Sequence, residues 1–361
     1  MSDGIAHFTE SLGGGVLSAI ELLCATQISS GYSVSLLYLR RKDTPDIEVL
    51  HSRLPNVELV ELGSSNLSGL LKLFWTSARL GIVSRSTIFH AHSSWAGIAV
   101  RLAGIATFNG RVFYTPHGYG FLRKDLSLLA RRGALAVEIF LNFFSQGVVL
   151  SCGVHEGKLA VSTKAKRVRV LSNYVDAKAL PTLGSENRKP IPPIILAVGR
   201  ICEQKNPLRF QRVTSQVRTK ASFVWVGDGD FEIRSKLESS KIEVTGWLGK
   251  EEVLRRLSMA SILVISSDWE GLPIVAIEAL ALGVPIVAYH IDSLEEVVLN
   301  GKTGYLCKSE LEMNNAIEKI LSSTDEINQL SENSKAQFYA NYDARLLQKN
   351  WQKIYGIASN A

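Results

Sequence analysis

Short apolar runs alternate along the chain with longer segments of helical periodicity. In the first half, the runs that predict strands lie near 5–8, 32–39, 88–90, 112–115, 147–151 and 167–171. In the second half, they lie near 194–198, 222–226, 242–245, 262–266 and 285–288. Strands that alternate with amphipathic helices are typical of parallel sheets covered by helices on both faces. The predicted fold class is therefore α/β.

The segment 180–193 separates the two halves, because it concentrates proline, small and polar residues and shows no apolar period. Each side is long enough for a Rossmann-like domain, which predicts an N-terminal domain over 1–179 and a C-terminal domain over 194–340. Because such domains bind ligands at the carboxyl ends of their strands, we expect the site in a cleft between the two.

Composition excludes several classes of protein. The 361 residues are 46% hydrophobic and 20% charged, which describes a folded chain of about two domains. Four cysteines lie far apart without a CxxC pair, so they predict neither a disulfide framework nor a zinc ribbon and fit a reducing cytosol. We expect no secretory signal. The apolar stretch 134–150 is interrupted by polar residues, so any membrane contact is expected to be peripheral.

The net charge of +6 favours an anionic partner, either nucleotide phosphates, a polyanion or a membrane surface. Two basic pairs lie among large apolar residues, in the set Phe121, Leu122, Arg123, Lys124, Leu126, Leu128, Leu129, Arg131 and Arg132. This pattern fits a lipid-facing surface, and it also fits a solvated helix face beside a buried helix over 135–144. No nucleic-acid-binding motif accompanies the basic residues, so nucleic acid is not an expected partner.

A pair of glutamates in the second half predicts a ligand site. Glu270 lies in the turn after a predicted strand, and Glu278 follows eight positions later inside a helix, so both could face one ligand. The free N–H groups of Gly271 and Leu272 favour an anion such as a diphosphate, and Pro273 suits a first helical turn. Because Glu278 is surrounded by apolar residues, its carboxylate must be paired or face a ligand such as a ribose diol.

A second pattern follows the first strand of the second half. Gly199 permits a tight turn, Arg200 can fork onto phosphate oxygens, and Lys205 adds a point charge nearby. Cations after a strand are usually surface charges, but here the same half also offers an anion-receptive helix end. The combination predicts phosphate binding.

With these motifs in place, the chain resembles the retaining glycosyltransferases of family 4 over essentially its whole length. The further motifs that carry the resemblance are Gly13-Gly14-Gly15, His90-Ala91-His92, Thr115-Pro116-His117-Gly118, Ser172-Asn173-Tyr174-Val175-Asp176 and Val226-Gly227-Asp228-Gly229. The resemblance implies the GT-B fold, in which two Rossmann-like domains face each other and a C-terminal helix, here 341–361, packs back toward the first. Ser266, Asn206 and Tyr174 depart from the proline, glycine and glycine that are common in the family.

The resemblance also implies roles for individual residues. Arg200 and Lys205 are expected to bind the donor diphosphate, Glu270 to contact the donor sugar, and Glu278 to bind ribose. His117 is expected to reach the donor sugar near its reacting carbon, which gives a catalytic set of Glu270, His117, Arg200 and Lys205. The predicted donor-binding set is Gly14, Gly15, Gly199, Arg200, Lys205, Trp247, Leu248, Glu270, Gly271, Leu272, Pro273 and Glu278.

Several first-half residues allow two interpretations. The glycines 13–15 form either a simple strand–helix turn or, as in the family, a loop beside donor phosphate or acceptor. His90 and His92 either contact the acceptor or are packed and hydrogen-bonded, and Tyr119 is assigned to the acceptor side with them. No third ligand motif accompanies the two histidines, so no metal site is predicted. No first-half carboxylate is evident for a double displacement, which favours a front-side route.

The predicted activity is transfer of a hexose-type sugar, with retention and without metal or other cofactor, from a nucleotide-diphosphate sugar to an acceptor. UDP- and GDP-sugars are favoured over ADP-sugars. The expected acceptor is a lipid-linked oligosaccharide or surface polysaccharide of the O-antigen, capsule or exopolysaccharide type. A soluble acceptor and a non-catalytic nucleotide-sugar sensor are the alternatives. We expect a monomer or weak oligomer, cytoplasmic or peripheral on the inner face of the cytoplasmic membrane.

Overall fold

The computed structural model describes residues 4–84, 86–181 and 191–357. The chain divides into two compact units. The first contains the chain up to Tyr174 together with the chain from Arg345 onward, and the second spans Val175–Ala344. The predicted domain boundary at 179 therefore lies inside the second unit. Most of the predicted linker, 180–193, lies outside the described residues.

The first unit is built on a seven-stranded parallel sheet with the order β3-β2-β1-β4-β5-β6-β7. Its strands are β1 Gly4–Thr9, β2 Ser33–Arg40, β3 Glu58–Ser64, β4 Ile88–His92, β5 Val112–Thr115, β6 Val148–Ser151 and β7 Val168–Val170. Its connecting helices are α1 Gly14–Ser29, α2 Ile47–Arg53, α3 Leu67–Val83, α4 Ser94–Ala106, α5 Leu128–Phe144 and α6 Val154–Ser162. The strand order reverses between β1 and β4, where doubly wound sheets bind ligands.

The second unit is built on a six-stranded parallel sheet with the order β10-β9-β8-β11-β12-β13. Its strands are β8 Ile194–Val198, β9 Ser222–Val226, β10 Glu243–Val244, β11 Ile262–Ile265, β12 Ile286–Tyr289 and β13 Gly304–Cys307. Its helices are α7 Pro207–Thr214, α8 Phe231–Ser239, α9 Lys250–Met259, α10 Ile274–Leu282, α11 Glu310–Ser322 and α12 Thr324–Asn341. The order reverses between β8 and β11, which is the corresponding switch point of this sheet.

The last helix, α13 Ala344–Tyr355, covers one face of the first sheet. Trp351 and Tyr355 are buried there against Ile5 of β1 and Phe113 of β5. The Trp351 ring meets Tyr32 edge-on, and its Nε1 donates to Ser30 Oγ at 3.2 Å. Helix α12 ends at Asn341, and α13 begins three residues later, within the range 341–361 predicted for the C-terminal helix.

The α/β class is confirmed, and every predicted strand is present. Two strands were not predicted, β3 and β13. Both lie at a sheet edge, where part of the strand is exposed to solvent, so neither forms a continuous apolar run. Glu58 and Glu61 interrupt β3, and β13 is only four residues long.

Within the described residues, no helix combines the length and the apolar character that a bilayer span requires.

The buried position of Trp351 leads to a stability prediction. We expect Trp351→Ala to lower the free energy of unfolding by about 3–5 kcal/mol, because it leaves a cavity between α13 and the first sheet. Trp75→Ala is the matched control: Trp75 is 67% exposed on α3, so its loss is expected to cost within about 0.5 kcal/mol. Urea denaturation followed by circular dichroism measures both, and equal costs would contradict the packing described.

Candidate functional site

The turn after β8 is held close to β9 by glycines. A Cβ on Gly227 would lie 2.2 Å from the carbonyl oxygen of Gly199, so only glycine permits this approach. Trp225 Nε1 donates to the same carbonyl oxygen at 2.8 Å. Arg200 follows directly, with an exposed side chain. The backbone that carries the predicted phosphate-binding arginine is therefore fixed against the neighbouring strand.

Asn206 shows why its departure from the family's glycine is tolerated. Its φ is +44°, in the left-handed region that asparagine adopts more readily than other non-glycine residues. Its Oδ1 accepts from the Arg209 N–H at 3.0 Å and caps α7, while its Nδ2 donates to Asp268 at 2.9 Å. Asn206 therefore links the loop that carries Lys205 to the loop after β11.

Lys205 and Glu270 form an ion pair at the carboxyl edge of the second sheet. The Nζ–Oε1 distance is 2.5 Å, and Ser267 Oγ donates to the same carboxylate oxygen at 2.7 Å. The Glu270 side chain is only 7% exposed and that of Lys205 is 21% exposed. A carboxylate so far from water needs such compensation. The structure therefore brings together two of the predicted catalytic residues.

Hydrogen bonds to backbone carbonyls hold the loop that carries Lys205 against the loop that carries Glu270. Ser266 Oγ donates to the Lys205 carbonyl at 2.7 Å, and the Asp268 N–H donates to the Gln204 carbonyl at 2.9 Å. Ser266 stands where the family commonly has proline, and its hydroxyl is used for this tie. A hollow of about 280 Å³ lies beside the pair, and its lining includes Val198, Ser267 and Pro273.

Glu278 is also buried, and its partner was not predicted. Its side chain is 4% exposed on α10, and its Oε1 contacts the Nζ of Lys250. Lys250 is the first residue of α9 and follows two residues of the predicted donor-binding set, Trp247, which is 62% exposed, and Leu248, which is partly buried. The expectation that Glu278 must be paired or face a ligand is met by this lysine. Nothing in the spacing of the two residues could have revealed it.

The remaining second-unit residues of the donor-binding set lie at the start of α10. Gly271 is partly exposed, whereas Leu272 and Pro273 are buried, and Pro273 precedes the helix with φ −71°. Because α10 begins here, its first N–H groups face the loop of Glu270. A cation, a carboxylate and a helix N-terminus thus occupy one strand edge, a combination that suits a ligand with both phosphate and hydroxyl groups.

In the first unit, the sheet register gathers histidines at the β1–β4 switch point. His7 lies opposite His90, and Thr9 lies opposite His92. His7 bonds to Gln27 Oε1 at 2.8 Å and to His92 at 2.9 Å, and His92 bonds to His117 at 3.0 Å. With the Gln27 oxygen as acceptor, each ring donates through one nitrogen and accepts through the other. His117 Nδ1, at the end of this chain, lies 3.5 Å from Cys152 Sγ.

The histidine cluster is a hydrogen-bonded network. The nitrogens of His7, His90 and His92 include atoms within 4.8 Å of one another, as a metal site would require. However, His90 bonds to the Tyr355 hydroxyl at 2.6 Å and to Thr115 Oγ1 at 2.8 Å, so all six ring nitrogens already have protein partners. Burial lowers the pKa of His7 to about 4 and those of His90 and His92 well below the usual value, so the rings are neutral at pH 7.

Two predictions for the first unit need correction. Tyr119, assigned to the acceptor side, is 1% exposed and stacks on Phe121 in the core. Two buried carboxylates, Glu10 and Glu156, lie after β1 and β6, where none was expected. Glu10 accepts from the N–H groups of Trp95 and Ala96 at the start of α4, and burial raises its pKa. Glu156 likewise accepts from backbone N–H groups, those of Gly118 and Cys152.

The other first-unit candidates differ in exposure. Gly14 and Gly15 are exposed at the start of α1, and Gly14 has a φ of +49°. His90, His92 and His117 line a hollow of about 370 Å³ together with Asn173 and Tyr174. Burial lowers the pKa of His117 to about 4, so this ring is neutral too.

Comparisons with known proteins agree with this geometry. The family described as Glycosyltransferase Family 4 matches residues 13–179, and the family described as Glycosyl transferases group 1 matches residues 184–337. The chain is 26% identical over 333 residues to an uncharacterized 41.2 kDa protein in the cps region of Klebsiella pneumoniae, covering 89% of this chain and 90% of the relative.

Two further proteins are informative. The chain is 26% identical over 281 residues to the UDP-Gal:alpha-D-GlcNAc-diphosphoundecaprenol alpha-1,3-galactosyltransferase of Escherichia coli, covering 69% of each. The crystal structure of Anabaena HepE in complex with UDP and glucose matches with a TM-score of 0.79 at 15% identity, covering 98% of this chain and 99% of that one. The two adjoining family matches and the two Rossmann-like sheets lead to one conclusion: the chain belongs to the group 1 glycosyl transferases of glycosyltransferase family 4 and has the GT-B fold.

Proposed function

We propose that the protein is a retaining, metal-independent transferase that moves a hexose from a nucleotide-diphosphate sugar to a lipid-linked saccharide during surface-polysaccharide assembly. The Lys205–Glu270 pair at the second switch point is the observation that carries the proposal. The E. coli relative is named for a UDP-sugar donor and a diphosphoundecaprenol-linked acceptor, and HepE was crystallised with UDP and glucose. Those names support the same donor and acceptor classes here.

Donor binding uses the ion pairs as exchangeable partners. The Lys205 ammonium and the Arg200 guanidinium bind the diphosphate, and Glu270 accepts hydrogen bonds from sugar hydroxyls. Glu278 binds the ribose diol, beside Lys250 and the loop that carries Trp247. When an ion pair opens, the diphosphate of the donor provides negative charge for the released cation. The hydroxyl groups of the donor provide hydrogen bonds to the released carboxylate. The buried charges of the pair therefore stay compensated when the ligand replaces their contacts with each other.

The proposed transfer follows a front-side route. The bond between the anomeric carbon and the diphosphate oxygen breaks, and its electron pair leaves with the diphosphate. The acceptor hydroxyl oxygen bonds to the same face of that carbon, and its proton passes to the departing diphosphate oxygen. Arg200 and Lys205 stabilise the negative charge that develops there. The neutral ring of His117 accepts a hydrogen bond from a sugar hydroxyl through Nδ1. This nitrogen otherwise makes the 3.5 Å contact with Cys152 Sγ.

Helix α5 supports an acceptor at a lipid surface, because polar side chains lie on its buried side and large apolar side chains lie on its exposed side. Its buried side carries Glu138 and Asn142, which bind the buried Arg101 guanidinium. Its outer side carries exposed large apolar residues, Leu128, Leu129, Val137, Ile139, Phe140, Phe143 and Phe144. A helix that buries Glu138 and Asn142 and exposes its aromatic rings fits an apolar environment.

Charge supports the same surface. Residues 62–155 contain nine Lys or Arg and two Asp or Glu, a net charge of +7, whereas the whole chain carries +6. Both acidic residues of this segment are paired, Asp125 with Arg123 and Glu138 with Arg101. The segment includes α5 and also α3, on which Leu67, Leu71 and Trp75 are exposed. Apolar groups within a cationic surround are the combination that binds anionic bilayers.

The first prediction of the proposed function concerns the ion pair. In buffer with EDTA, we expect transfer from at least one UDP- or GDP-hexose to an undecaprenyl-diphosphate-linked sugar, with an α-linked product from an α-linked donor. Lys205→Ala and Glu270→Gln are expected to lower kcat/KM by about 100-fold or more, because each removes a charge matched to the donor. Arg212→Gln removes an exposed ion pair with Glu310 in the same unit and is expected to transfer normally.

Radiolabel transfer to lipid extracts measures the rates, and proton NMR of the product gives the anomeric configuration. Transfer to soluble saccharides alone would favour the soluble-acceptor alternative. Donor binding without turnover on any acceptor would favour a nucleotide-sugar sensor. Inversion of configuration would contradict the front-side route.

The second prediction concerns the outer surface of α5. We expect co-sedimentation with phosphatidylglycerol vesicles at low salt, and weaker binding at 0.5 M salt because charges are screened. The double variant Phe140→Ser with Phe144→Ser is expected to bind at least about tenfold more weakly, since each ring contributes buried apolar area. Phe231→Ser with Leu311→Ser, at exposed sites of the second unit, is the control and is expected to bind normally. Absence of vesicle binding at low salt would overturn this part of the proposal.

A further inference from the structure

The turn after β5 has a strained backbone. His117 has a φ of +54° and Gly118 has a φ of +102°. Glycine adopts this region freely, but a histidine there is strained and keeps such a conformation only where its surroundings impose it. His117 is the first-unit residue to which the proposed function gives contact with the donor sugar, so what holds this turn also determines where that ring lies.

A single buried carboxylate holds the turn. Glu156, on the first turn of α6, is 4% exposed. Its Oε1 accepts from the Gly118 N–H at 2.7 Å, and its Oε2 accepts from the Cys152 N–H at 2.7 Å. Hydrogen bonds from N–H groups to a carboxylate are short and about twice as strong as neutral ones. Glu156 therefore joins the turn after β5 to the end of β6.

The same two contacts fix the backbone next to His117 and the backbone of the cysteine whose thiol lies beside the imidazole. The His117 ring lies between His92, 3.0 Å from its Nε2, and Cys152 Sγ, 3.5 Å from its Nδ1. Glu156 holds the backbone on the His117 side through Gly118 and on the thiol side through Cys152. Burial and the nearby Glu156 carboxylate raise the pKa of the Cys152 thiol well above its usual value, so the thiol keeps its proton. The ring nitrogen that faces the thiol therefore stays an acceptor.

We infer that Glu156 is a positioning residue, which clamps the strained His117–Gly118 turn and so aims His117 Nδ1 at the substrate. The inference rests on the proposed function, in which His117 contacts the donor sugar. No role was predicted for Glu156 from the sequence. The contact to Gly118 spans 38 positions of the chain, and only the side-by-side arrangement of β5 and β6 brings the two residues together.

Glu156→Gln is the sharpest variant. Its side chain has the same shape, but its amide NH₂ cannot accept a hydrogen bond, so one of the two N–H groups loses its partner. We expect the turn to relax and the ring to gain contact with water. Glu138→Gln is the matched control, because it also removes a buried carboxylate of the first unit, the partner of Arg101, without contact to the His117 turn.

The first readout does not require activity. Titration of the His117 ring proton by NMR is expected to give a pKa near 4 in the unaltered protein, and a pKa nearer to the ordinary histidine value of about 6.5 in Glu156→Gln. The groups that face this ring are His92, Cys152 and, through the backbone, Glu156. In Glu138→Gln the His117 titration is expected to stay unchanged. An unchanged His117 titration in Glu156→Gln would overturn the inference.

The second readout is a double-mutant cycle on transfer. Glu156→Gln is expected to lower kcat by about 100-fold while the donor KM changes less than about twofold, because a misplaced group slows the reacting step. In a His117→Ala background, the same change is expected to have no further effect on kcat. Equal losses in both backgrounds would overturn the inference. Absence of transfer by the unaltered protein would contradict the proposed function instead, and the NMR titration would still decide whether Glu156 holds the turn.

Discussion

Carboxylates buried at the carboxyl ends of parallel strands are the constraint on which both units depend. Glu10 and Glu156 in the first unit, and Glu270 and Glu278 in the second, are each at most 9% exposed. An isolated buried carboxylate would destabilise the fold by several kcal/mol, so each must have compensating partners. The positions of the loops around both switch points follow from how those partners are supplied.

The two units meet this constraint in different ways. In the first, the compensating groups are backbone N–H donors of Trp95, Ala96, Gly118 and Cys152, which cannot leave without unfolding a turn. In the second, the partners include lysine side chains, which can rotate toward another anion. Fixed compensation suits carboxylates that shape a loop, whereas mobile compensation suits carboxylates that exchange partners with a ligand. The proposed division of roles between Glu156 and Glu270 rests on this difference.

The sequence predicted the parts of the fold that have a local signature. Central strands such as β8 and β11 are continuous apolar runs, and Lys205 and Glu270 lie in the loops after these two strands, whose ends meet at a switch point. Residues that depend on pairing across the chain had no such signature. The contact of Lys250 with Glu278, and that of Glu156 with Gly118, join residues that are far apart in sequence and meet only in the folded chain. Tyr119 was misplaced because its position in the sequence does not reveal that its ring packs in the core.

The proposed function requires the Lys205–Glu270 ion pair to open when a nucleotide diphosphate binds. Calorimetric titration of UDP and of GDP into the unaltered protein, Lys205→Ala and Arg212→Gln tests this most directly. At least one of the two nucleotides is expected to bind the unaltered protein and Arg212→Gln with equal affinity. The same nucleotide is expected to bind Lys205→Ala at least about tenfold more weakly, because one charge-assisted contact is lost. Equal affinity for Lys205→Ala, or no binding of either nucleotide, would contradict this requirement.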